Sequence, residues 1–142
     1  MSIGRAFLVL AFAFASLPAS PQEKLSEPDA RAVRAVIEAQ LDAFRKDDAP
    51  RAFSYATEGI RENFGSPERF MAMVRSAYPV VYRPRSVDFQ PALILQGIVV
   101  QPVRMTDAEG RGWLAVYPMQ KQPDGSWRID GCQLGKLAGQ ET

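Results

Sequence analysis

ALILQGIVVQPVRM, residues 92–105, is the stretch on which the fold turns. Leu93, Leu95, Val99 and Val103 alternate with Ile94, Ile98 and Val100, so a strand drawn through it is apolar on both faces. An antiparallel sheet with one wetted face alternates apolar and polar residues instead. A sheet built on this strand is therefore expected to be covered twice, by helices on one face and by a second copy or a partner on the other.

The neighbouring segments speak the same language. VVYRPRSVDF (80–89), GWLAVYPMQK (112–121) and SWRIDGCQL (126–134) are rich in β-branched and aromatic residues. DAEG (107–110) and QPDG (122–125) carry the residues of tight reverse turns, so the last three strands are predicted to form an antiparallel meander. Pro84, Pro91, Pro102 and Pro118 each remove a ladder donor and mark bulges or edges. Upstream of Pro79 the period changes. Val33, Val36, Ile37, Leu41 and Phe44 follow helical spacing behind a Ser26 cap. A shorter helix is expected over PRAFSYATEG (50–59), closed by Gly59. A third starts at Ser66–Pro67–Glu68, runs through Phe70, Met73, Val74, Ala77 and Tyr78, and stops at Pro79. The reading is an α+β domain: a long first helix and two shorter ones packed on an antiparallel sheet of about four strands.

The first residues belong to something else. Arg5 precedes the uncharged run Ala6–Leu17, shorter than the roughly 20 residues of a spanning helix, with small residues after it. Residues 1–19 are read as a signal peptide cut after Ala15 or Ala19, with an uncleaved N-terminal membrane anchor as the alternative. Residues 20–28 are a linker, 29–136 the domain and 137–142 a flexible tail. The expected localisation is secreted or periplasmic, without stable membrane insertion of the mature chain. Removing the segment takes one arginine and no acid, leaving 16 residues of each sign. Such a domain lacks the basic footprint of a nucleic-acid binder.

Chemistry is limited by what is missing. The chain has no histidine and one cysteine. Ser–His–Asp and Cys–His catalysis are excluded, and neither a metal site nor a cofactor is expected. No internal disulfide can form; Cys132 is either free or paired between chains. By strict alternation Cys132 lies with Arg128 and Asp130, away from Trp127 and Ile129, as a small structural residue with Gly131 allowing a bulge. Gln40 falls inside the apolar stripe of the first helix, where a buried amide must find partners.

Four segments together, QLDAFRKDDAPRAFSYATEGI (40–60), FGSPERFMAMVRSAYPVVYRP (64–84), QPVRMTDAEGR (101–111) and DGSWRIDGCQL (124–134), resemble the bacterial domain-of-unknown-function family 4864. The resemblance runs from about Asp29 to Leu134. The arrangement of elements also looks like the nuclear transport factor 2-like (cystatin-like) superfold, whose curved sheet wraps a long first helix and whose cone often holds a small molecule. Those resemblances imply a compartment and a fold, but no assigned activity. The leading expectation is a non-catalytic domain binding a small apolar ligand or peptide in the cone. Its expected lining is Gln40, Phe44, Tyr55, Tyr78, Trp113 and Tyr117, and a homodimer forms through the outer sheet face. One alternative is an isomerase- or dehydratase-like enzyme with Asp88 as base and Tyr82 or Tyr117 as phenol donor. Another is a structural partner in an envelope complex.

Overall fold

The computed structural model describes residues 24–137. The signal-peptide reading and all but the first residue of the tail lie outside the described residues. Helices α1 (Glu27–Arg45), α2 (Ala49–Ser54), α3 (Glu58–Phe64), α4 (Pro67–Ala77) and α5 (Pro79–Tyr82) precede every strand. The strands are β1 (Ser86–Phe89), β2 (Leu93–Leu95), β3 (Ile98–Thr106), β4 (Gly112–Lys121), β5 (Trp127–Ile129) and β6 (Gln133–Lys136). All pair antiparallel in one strongly curled sheet, an α+β half-barrel.

Local chemistry sets the helix ends. Ser26 Oγ accepts from Asp29 N at 3.3 Å to start α1, and Ser66 Oγ accepts from Arg69 N at 3.2 Å to start α4. At the other end of α1, Asp47 stands in the left-handed region at φ 51°. Asp47 N donates to Phe44 O and Asp48 N to Ala43 O, the paired bonds of a Schellman stop. An aspartate tolerates that conformation better than most residues, and this one is held by Arg75, Arg83 and the Tyr82 hydroxyl. The Tyr82 hydroxyl, helped by the Arg83 charge, keeps the Asp47 carboxyl below its ordinary value.

The structure has more elements than the sequence pattern indicated, for four physical reasons. The stretch 92–105 is not one strand but the hairpin β2–β3, because Gln96 and Gly97 both take positive φ, 50° and 78°, and turn the chain in two residues. The second helix does not run to Gly59. Thr57 N donates to Ile129 O and Ile129 N to Tyr55 O, a bridge that draws residues 55–57 onto β5 and leaves Gly59 inside α3. Pro79 does stop α4, but it also opens α5, whose Val80 and Val81 are buried in the core. Tyr82 therefore sits on a helix and not on a strand.

The last strand is broken as well. Both β5 and β6 pair with the same edge of β4. Ile129 stands opposite Met119 and Leu134 opposite Ala115, so five steps on one strand match four on the other. The extra residue is a bulge at Gly131, φ 147°, directly across from Pro118, which has no N–H to offer the ladder. The bulge reverses the alternation: beyond it Cys132 and Leu134 face the helices, not the face shared by Arg128 and Asp130.

Helices cover one face of the sheet. Val103, Met105, Ala115, Tyr117, Met119 and Ile129 pack there against Val33, Ile37, Leu41 and Phe44 of α1. Phe70 of α4 gathers Phe44, Phe53 and Phe64 around it at ring distances of 5.6–6.1 Å. The opposite face carries Leu95 and Ile98, both exposed, and the half-buried Leu114 and Val116. Among the described residues no helix is long and apolar enough to cross a membrane.

Candidate functional site

Where α1, α3, α4 and α5 meet β4 and the Gly131 bulge, the core leaves a cavity of about 180 Å³. An apolar cavity of roughly 150 Å³ admits a benzene-sized molecule. Its inner wall is Gln40, Phe44, Phe70, Val74, Val81 and Tyr117, all buried, and its rim is the half-buried Ile60, Phe64, Met73, Tyr78 and Cys132. Among the described residues no lining side chain is charged.

The polar groups on this wall differ in how far they are engaged. Gln40 Nε2 donates to Ala52 O at 3.1 Å, tying α1 to α2. Tyr78 Oη donates to Cys132 O at 3.1 Å, fastening α4 to the bulge. Tyr117, 1% exposed, places its hydroxyl where it makes no hydrogen bond. The Cys132 thiol beside it bears on it by charge and as a weak hydrogen-bonding neighbour, in a contact that falls short of full hydrogen-bond geometry. Burial pushes both groups toward their neutral forms. The Tyr117 phenol is raised well above 10, by desolvation first and then by Cys132. The Cys132 thiol is raised to about 12 by desolvation, against the opposing effect of the Tyr117 hydroxyl. A thiol so placed is protonated at neutral pH and a poor nucleophile.

The structure brings Gln40, Phe44, Tyr78 and Tyr117 together and leaves two of the sequence-derived lining residues elsewhere. Tyr55 Oη accepts from Arg51 Nε at 3.2 Å on the outside of α2, because the bridge to β5 turns its backbone. Trp113 is on the same face of β4 as Tyr117 but four residues earlier, at the start of the strand, where Nε1 donates to Asp107 Oδ2 at 2.9 Å. It walls a surface groove between α5 and the β3–β4 turn.

Asp88 is not near the cavity. Its register partner Arg104 and the alternation along β1 put it on the sheet face away from the helices, where its carboxylate accepts from Gln90. The Tyr82 hydroxyl donates a hydrogen bond to Asp47, so the trio Asp88, Tyr82 and Tyr117 is spread over three surroundings. Asp42 pairs with Lys46 and Arg51. Asp130 accepts from the buried Thr57 hydroxyl at 2.8 Å. Among the described residues no cluster of acids, cysteine and histidine can hold a metal. Cys132 is free, and its place in the cavity wall was hidden by the bulge.

A family model described as a domain of unknown function (DUF4864) matches residues 26–142. The chain belongs to that family. No curated protein and no solved structure matches it. The DUF4864 match begins at the cap of α1 and takes in every helix and strand, so the cavity is built wholly from the family domain.

Proposed function

We propose that this DUF4864 domain is a binding module for a small, largely apolar molecule held in the cavity between helices and sheet. The observation that carries the reading is the pairing of an uncharged, ring-sized cavity with one buried hydroxyl that, among the described residues, has only the weak Cys132 thiol beside it and no full hydrogen bond. A native interior rarely leaves such a group unpaired, since the loss is about 1–3 kcal/mol. A bound molecule supplies the partner. Binding is favoured over turnover because the cavity wall holds no carboxylate or free base, and its two titratable groups other than Tyr78 are pushed toward neutrality.

The nuclear transport factor 2-like superfold is the frame we assign to this arrangement, and the apolar N-terminal run supports a secreted or periplasmic setting. The test is a ligand-observed NMR screen of ring-sized apolar compounds against the full chain and against Val74→Phe, which fills the cavity. Binders to the parent that are lost in the filled variant support the reading. No binder, or equal binding to both proteins, defeats it.

A further inference from the structure

We infer that the ligand is a neutral molecule whose hydrogen-bond-accepting oxygen takes the proton of the Tyr117 hydroxyl, while acids and cations of the same shape are refused. The inference rests on the binding reading above and specifies its chemistry. Three wall groups carry strong donors, and two are already engaged: Tyr78 to Cys132 O, and Gln40 through one of its two Nε2 hydrogens to Ala52 O. The unspent hydroxyl is that of Tyr117, which is 1% exposed and, among the described residues, makes no full hydrogen bond. Cys132 adds only a weak S–H donor beside it. The complementary ligand atom is therefore an acceptor, such as a ketone, ester or ether oxygen.

Charge is refused for a separate reason. Among the described residues no lysine, arginine, aspartate or glutamate lines the cavity, so a carboxylate or ammonium entering it loses water and gains no counter-ion. The burial that keeps Tyr117 and Cys132 neutral acts on an entering ligand in the same direction. Specificity thus comes from one hydrogen bond set in an apolar wall, a design that rejects the analogue lacking the bond.

Cumene, acetophenone and benzoate have nearly the same outline and differ in the group that meets Tyr117. Each is titrated calorimetrically into the full chain and into Tyr117→Phe. Removing the hydroxyl is expected to weaken acetophenone about tenfold and to leave cumene unchanged, with benzoate failing to bind either protein at neutral pH. Comparing each ligand with itself across the two proteins cancels the ligands' different affinities for water. The carbonyl stretch of acetophenone bound to the parent, read by infrared difference spectroscopy, should also fall relative to its value in an apolar solvent. That measurement needs no variant. An equal response of cumene and acetophenone to Tyr117→Phe, or an unshifted carbonyl, overturns the acceptor assignment and leaves the cavity as a plain apolar site. Benzoate binding as well as acetophenone overturns the charge rule. Failure of all three to bind, together with an empty screen, overturns this inference and the binding reading at once.

Discussion

Trp113 and Tyr117 stand four residues apart on one face of β4, each an aromatic ring with a polar tip, and their surroundings differ in kind. The Trp113 indole donates to Asp107, and the Lys136 ammonium lies 5.6 Å from its ring centroid. Asp107 also takes the N–H groups of Glu109 and Arg111, at 3.0 and 2.9 Å. The tip of Trp113 is part of a finished turn. Tyr117 is more deeply buried and has nothing equivalent. The chain's other three tyrosines resolve the contrast: Tyr55, Tyr78 and Tyr82 each have their hydroxyl engaged, by Arg51, Cys132 O and Asp47. A satisfied tip holds the fold together, whereas the unsatisfied one at the cavity wall is the feature on which the binding proposal rests.

The largest effect is expected at the residue that the cavity and the core share. Phe44 is 1% exposed, and its ring centroid lies 6.1 Å from that of Phe70. Phe44→Ala should cost about 3–5 kcal/mol in urea unfolding; a loss under about 1 kcal/mol would mean that this wall is already loose. Next comes the bulge. A Cβ at residue 131 would sit 3.4 Å from Pro118 Cγ at φ 147°, so Gly131→Ala is expected to cost about 1–3 kcal/mol. If alanine is accepted without loss, the bulge is not what turns Cys132 inward. The comparison itself is broken or kept by two phenylalanine substitutions. Trp113→Phe should destabilise by about 1–3 kcal/mol, because it removes a made bond and some packing. Tyr117→Phe should leave the urea midpoint unchanged or raise it, since it deletes a group that is already unpaired. Equal losses at both positions would put an unseen partner on Tyr117.

Much of the frame was legible. Caps at Ser26 and Ser66, the turns at 107–110 and 122–125, and the meander of β3, β4 and β5 follow from local chemistry, which the sequence displays residue by residue. The site was legible in part. Gln40 and Phe44 declare themselves by helical period, and Tyr117 by its place on an apolar strand face. What failed was parity and long-range pairing. A single extra residue at Gly131 reversed the face of Cys132, and only its position opposite Pro118 could have signalled it. The bridge from residues 55–57 to Ile129 spans more than seventy positions and leaves no local mark, so Tyr55 was expected to face inward. Asp88 and Tyr82 shared a face only on a strand that turns out to begin after Tyr82.

The smallest effect concerns protons and separates the Trp113 and Tyr117 positions of β4 by pH. Asp107 is held below the ordinary carboxylate value, by the Trp113 indole first and then by the backbone N–H groups of the turn. A depressed folded value contributes stability that is present above the unfolded value and lost as pH falls through the folded one. The Trp113 end should therefore loosen only in acid, below about pH 4. Cys132 behaves in the opposite sense. Its folded value, about 12, lies above the ordinary 9, so its contribution is whole below pH 9 and declines as the pH climbs toward 12. The thiol itself is the convenient probe. At pH 8 a disulfide reagent should label native Cys132 at least about a hundredfold more slowly than it labels the urea-unfolded chain, because the thiolate fraction falls with the raised value. A bound ligand beside Tyr117 should slow it further. Labelling of the native chain at the unfolded rate would place the thiol in water and take it out of the cavity wall, and the neutral pair with Tyr117 would go with it.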